Sequence, residues 1–218
     1  MNNAVIADVL ELIKQHVLAH KLPVVAEMAH VRRDPFQILI STILSLRTKD
    51  EVTGAAAKRL FSRASTPAEM LKLSEAEIIT AIYPTGFYRN KARTILHVCR
   101  ELVDTYQSRV PATIDELLTL RGVGRKTANL VVILAYGGKG ICVDTHVHRI
   151  SNRLGYVSTK TPDETEFALR EKLPEEYWSI YNTYLVAFGR DICRPLSPLC
   201  SQCCVSTYCE RIGVVRNR

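Results

Sequence analysis

The 218-residue sequence lacks a long apolar run. Its longest, Leu130 to Tyr136, covers seven residues, whereas a membrane-spanning helix needs about 20. No membrane partner is therefore expected. The opening residues, Met-Asn-Asn-Ala-Val-Ile-Ala-Asp, lack the basic start and apolar core of a secretory signal. No stretch alternates apolar and polar residues with a period of two between hairpin turns, which argues against a sheet. Low-complexity segments and obvious internal repeats are also missing. What remains is the folded globular class, and a hydrophobic content of 47% agrees with it.

Against these absences stand 29 basic and 22 acidic residues, a formal charge of +7. That balance favours a polyanionic partner without naming one. Seven Cys are present, five of them between 193 and 209. Such clustering fits a metal site in a reducing compartment better than a disulfide framework.

Helix start signals recur along the chain. Asp34-Pro35 sets a capping residue before a Pro at the first helical position. Thr66 with Glu69, Ser74 with Glu77, Thr113 with Glu116 and Thr161 with Glu164 have the spacing of capping boxes. Between them, apolar residues fall at helical intervals, as in Val5, Val9, Leu12 and Ile13, or Ile95, Val98 and Leu102. The pattern predicts an all-α chain of about ten short helices. Gly137-Gly138 reads as a helix end.

The most informative segment is Leu120-Arg-Gly-Val-Gly-Arg-Lys-Thr-Ala-Asn129, followed eighteen residues after Lys126 by Asp144-Thr145-His146. Gly122-Val123-Gly124 forms a tight turn that opens an apolar helix. A Gly-x-Gly turn at a helix N-terminus presents backbone N–H groups to an anion. Lys126 falls in the first helical turn, where the positive end of the helix dipole disfavours a second positive charge. An amine kept partly neutral is a nucleophile. Asp144 brings a carboxylate to the start of a second helix, where it also has the makings of a plain helix cap.

Cys193, Cys200, Cys203 and Cys209 are separated by six, two and five residues. Four thiolates so close together converge on a metal centre or on each other. Spacing alone leaves zinc and iron–sulfur open. Cys204, beside Cys203, stands outside the pattern. Cys99 and Cys142 lie among apolar residues and read as small buried hydrophobes.

Together these segments resemble the helix-hairpin-helix DNA glycosylases, and within them the endonuclease III family. The resemblance runs from about Val5 to Arg211. Val143-Asp144-Thr145-His146 matches the family's element in full, and Arg121 replaces the Pro usual in the hairpin. It implies an all-α fold of two helical lobes with DNA and the active site between them. A six-helix lobe at 24–137 would hold the hairpin. A second lobe would join 1–23 to 138–218 and carry a [4Fe-4S] loop at 193–209, with Cys193, Cys200, Cys203 and Cys209 as ligands. Between the first two of these the family has several basic residues; here the loop has only Arg194.

The resemblance also implies an activity, a bifunctional glycosylase and apurinic/apyrimidinic lyase for oxidised pyrimidines in duplex DNA. Lys126 would attack C1′ of the sugar, and Asp144 would stabilise the oxocarbenium or help activate the amine. Base removal requires the nucleotide to leave the stack. Arg47 stands where the family has a polar residue, often Gln, that fills the vacated space. Phe87 stands in the loop that drives an apolar wedge into the duplex. Arg47 also reads as a phosphate contact, and Phe87 reads equally as a core aromatic. Asn90 and Lys91 start the next helix and are expected at phosphate. The hairpin residues Gly122, Val123, Gly124, Arg125 and Thr127, with His146 and Arg149, complete the expected DNA contacts. The partner is duplex DNA with a damaged base or an abasic site, met by a monomer in the cytoplasm, near the nucleoid if the source is prokaryotic. Two other readings compete. One is a thymine or uracil mismatch glycosylase, disfavoured by Lys126, which such relatives often lack. The other is a non-catalytic DNA-binding module, for which Lys126 and Asp144 have no use.

Overall fold

The computed structural model describes residues 1–18 and 34–218. Among the described residues there are α-helices and short 3-10 turns and no strand, so the fold is all-α as the periodicity predicts. No helix among them is long and apolar enough to cross a membrane. The chain divides into two compact units, Met1–Pro23 with Lys139–Arg218, and Val24–Gly138. The expected junction between 23 and 24 lies outside the described residues.

The unit containing the hairpin is built around α2 (Pro35–Ser45). This helix is apolar on nearly every side, and Ile38, Leu39, Ile40, Ile43 and Leu44 are all buried. Such a helix belongs at the centre of a core, where each large side chain contributes about 1.5–3 kcal/mol on leaving water. Asp34 caps it, accepting from the amides of Phe36 and Gln37 at 3.0 and 3.1 Å. Around it run α3 (Asp50–Phe61), α4 (Pro67–Met70), α5 (Glu75–Ile82), α6 (Tyr88–Tyr106), α7 (Ile114–Thr119) and α8 (Arg125–Tyr136). Of these, α3, α6 and α8 pack directly on α2. Gly137, in the left-handed region at φ 64°, ends α8 and donates to the Ile133 carbonyl.

The second unit joins α1 (Asn3–Leu18) to α9 (Thr145–Arg153), α10 (Pro162–Lys172) and α11 (Trp178–Asp191). α1 buries the stripe Ile6, Val9, Leu10, Ile13 and Val17, and packs against α11. α9 packs against α10 and α11. Tyr156, Tyr181 and Phe188 are the largest wholly buried side chains in this core. The Tyr181 hydroxyl meets the Ser151 hydroxyl at 3.0 Å, so its polar end is satisfied.

Two of the four expected capping boxes close completely, at Thr66 and Ser74. At Thr113 and Thr161 only half of the box forms. The Glu116 carboxylate accepts instead from the Thr113 hydroxyl, at 2.6 Å. The Glu164 carboxylate reaches one residue further back, to the Lys160 amide at 2.9 Å.

Candidate active site and nucleic-acid interface

The hairpin turn is held from both ends. The Val123 amide donates to the Leu120 carbonyl at 3.0 Å, and the Arg121 amide donates to the Glu101 carboxylate of α6 at 3.0 Å. Gly122 has φ 91°, and a Cβ there would lie 2.6 Å from the Thr94 Cγ2. Conformation and space both therefore demand glycine. Gly124 is the N-cap of α8 and offers its first turn no side-chain hydrogen bond. A helix N-terminus capped in this way is suited to an anion. Lys126 is the second residue of α8 and is half-buried, like Arg125. The side chains of Thr127 and Val123 are buried, at 1% and 6% exposure. A DNA contact from either is confined to the main chain.

In the other unit, Asp144 is the N-cap of α9. Its Oδ1 accepts from the amides of His146 and Val147 at 2.8 and 3.0 Å. The carboxylate is half-buried and fixed in direction by these bonds. One turn on, Arg149 faces inward. Its guanidinium donates to the Cys193 carbonyl at 2.8 Å and to the Gly189 carbonyl at 3.3 Å, and its Nη2 lies 3.1 Å from His146 Nδ1. Burial pushes its pKa down. Arg149 is thus placed as a brace between α9 and α11, and its expected DNA contact has no counterpart in this geometry. His146 sits against Gly189, where an added Cβ would come within 2.6 Å of Nδ1.

Arg47 and Phe87, forty residues apart, are brought together. Both are exposed, Phe87 at 56%, so Phe87 is not the core aromatic that composition alone allows. The Arg47 guanidinium carbon lies 4.6 Å from the centre of the Phe87 ring. Asn90 is exposed on the first turn of α6. Lys91 corrects the expectation of a phosphate contact. It is only 6% exposed, and its amine donates to the carbonyls of Leu44 and Leu46 and to the Thr48 hydroxyl at 2.7, 2.7 and 2.8 Å. Three acceptors use its three protons, which leaves none for DNA. Burial lowers its pKa to about 8.

Cys193, Cys200, Cys203 and Cys209 line one cavity, together with Ile150, Arg153, Leu154, Phe188, Ile192 and Val205. Burial raises the Cys203 thiol to about 11 and raises Cys209 as well. Cys204 is exposed and outside this cavity, with its thiol 3.8 Å from the Leu12 carbonyl. Cys99 and Cys142 are buried. Sequence reasoning missed Arg153, which ends α9 at 8% exposure. Its guanidinium donates to the carbonyls of Arg194 and Pro195 at 2.7 and 2.8 Å and lies 3.5 Å from the Cys193 sulfur. The available signal was the i, i+4 spacing of Arg149 and Arg153 on a helix that leads from Asp144 toward the cysteines.

Residues 40–175 match the family described as HhH-GPD superfamily base excision DNA repair protein. The endonuclease III of Thermotoga maritima is 49% identical over 194 residues, 87% of this chain and 91% of that protein. Plant and vertebrate endonuclease III homologues are longer; the match spans 47% of an Arabidopsis thaliana protein and 59% of a Bos taurus one. A solved structure of a trapped endonuclease III–DNA covalent intermediate superposes with a TM-score of 0.85 at 38% identity, covering 97% of each chain. A thermostable thymine-DNA glycosylase does so with a TM-score of 0.80 at 26% identity, covering 95% of this chain and 94% of that one. The chain is a member of the HhH-GPD superfamily of base excision repair proteins, and within it belongs to the endonuclease III family.

Proposed function

We propose that this chain removes oxidised pyrimidines from duplex DNA and then cuts the strand through an imine on Lys126. The observation that carries this reading is an amine on the first turn of a helix whose Gly124 N-cap adds no side-chain hydrogen bond, an end suited to phosphate. Lys126 attacks C1′, and the damaged base departs with the bonding electrons. Asp144 stabilises the positive charge on the sugar or takes the amine proton. The ring-opened imine withdraws electrons, so the C2′ proton is lost and the 3′ phosphate is expelled by β-elimination. A carboxylate and water alone would stop at base removal. Arg47 and Phe87 fill the space the flipped nucleotide vacates, offsetting an unstacking cost of a few kcal/mol.

The test is to incubate the protein with duplexes carrying thymine glycol, dihydrouracil, uracil or thymine opposite guanine, or an abasic site. Cleaved strands from the oxidised pyrimidines and the abasic site support the reading. Intact strands with base loss only from the guanine mismatches support a mismatch glycosylase.

We propose that the four cysteines hold an iron–sulfur cluster. All four cysteines line one cavity, burial raises the pKa of Cys203 and Cys209, and a cationic centre offsets that penalty on thiolates. Cys193, Cys200, Cys203 and Cys209 would hold a [4Fe-4S] cluster, which when bound ties four points of the C-terminal segment together. Anaerobically purified protein is expected to be brown and to contain iron and sulfide. Replacing any of the four by Ser is expected to lose the iron and most soluble protein, and Cys204→Ser neither. Stoichiometric zinc without sulfide would replace this assignment by a four-cysteine zinc site.

A further inference from the structure

We propose that Lys91 is a positioning residue that clasps the Arg47 turn to the Phe87 turn, so that both enter DNA as one preset pair. The inference rests on the reading that Arg47 and Phe87 fill the opened duplex. α2 ends at Ser45, and the chain turns through Leu46 to Lys49 before α3. The Lys91 amine, from the second turn of α6, takes the carbonyls of Leu44 and Leu46 and the Thr48 hydroxyl as its three acceptors. A cation is favoured there by the negative end of α2. Thr48 closes the ring. Its Oγ1 also accepts from the Gly86 amide at 3.0 Å and donates to the Leu46 carbonyl at 3.3 Å.

The two turns meet backbone to backbone, since a Cβ on Gly86 would lie 2.4 Å from the Arg47 carbonyl oxygen. Arg47 and Phe87 themselves adopt the left-handed region, at φ 54° and 57°. Residues other than glycine hold that conformation only where their surroundings enforce it. Lys91 and Thr48 are the groups that enforce it here, and the stacked Arg47–Phe87 pair is the result. A wedge ordered in advance need not be ordered during binding.

The test compares cleavage of an abasic site in a duplex with cleavage of the same abasic strand left unpaired, which needs no wedge. Lys91→Met keeps the length of the side chain but donates nothing. It is expected to slow duplex cleavage by about 10²-fold, the scale of a 1 Å misplacement, and to leave the unpaired strand within about twofold of wild type. Thr48→Val, which breaks the same ring at an isosteric residue, is expected to show the same split and decides the matter if Lys91→Met is insoluble. 2-Aminopurine beside the abasic site should brighten less with either variant than with wild type. Equal slowing on both substrates, or slowing on neither, overturns the clasp. Phe87→Ala separates the two levels of the argument. If it too spares duplex cleavage, the wedge reading falls and the clasp with it; if it slows only the duplex while Lys91→Met does not, the clasp alone falls.

Discussion

Lys126→Ala is expected to form no borohydride-stable complex with abasic DNA, whereas the wild-type protein is trapped covalently. Borohydride reduces an imine to an amine, so the trap reports which residue supplies the nitrogen. Lys126 is half-buried on the first turn of α8, directly after a turn whose geometry only glycine satisfies at Gly122. The substitution leaves that turn intact. Ala is also the stronger helix former, and the change removes no core side chain. Stability should therefore stay within about 0.5 kcal/mol of wild type, a shift of about 2 °C or less in Tm for a chain of this size. DNA binding should persist, because the hairpin backbone and Arg47 remain. Strand cleavage should fall by about 10³-fold or more, the scale of removing a nucleophile. Equal trapping by Lys126→Ala and wild type would mean that another amine attacks, and the mechanism would have to be rebuilt around it.

The parts of this molecule that local rules govern were legible in its sequence. Helix starts at Asp34, Thr66 and Ser74 follow from one or two residues each, and the structure places them where those residues stand. The turn at Gly122 and the helix end at Gly137 follow from backbone freedom alone. Lys91 shows where such reasoning stops. A Lys near the start of a helix in a basic chain reads as a phosphate contact, although its spacing of four and seven residues from Ile95 and Val98 puts Lys91 on the apolar face of α6. Its acceptors, Leu44, Leu46 and Thr48, lie more than forty positions earlier. Arg149 misleads in the same way, because its partners Gly189 and Cys193 follow forty or more residues later. Long side chains with a buried stem and a polar head satisfy either surroundings, and only tertiary contacts decide between them. The pairing of Arg47 with Phe87 likewise required two turns to be folded onto each other.

Asp144→Asn is expected to fold normally and to turn over about 10²–10⁴-fold more slowly than wild type, the usual worth of a positioned acid or base. The structure makes this substitution informative because it gives Asp144 a second duty. Oδ1 already caps α9 through the amides of His146 and Val147. Asn caps a helix about as well as Asp and retains both of those bonds. What it loses is the charge, which interacts with the helix dipole, for about 0.3–1 kcal/mol, and with the Arg149 guanidinium. Asp144→Ala loses the cap as well, for a further cost of about 0.5–2 kcal/mol. The two variants therefore separate the duties. If Asp144 acts on the sugar, both should be slow in single-turnover base release, and only Ala should lower Tm appreciably. If Asp144 is only a cap, Asn should release base at the wild-type rate, and any loss should be confined to Ala and track its Tm. The second result would remove Asp144 from the proposed chemistry and assign the proton acceptor to another group.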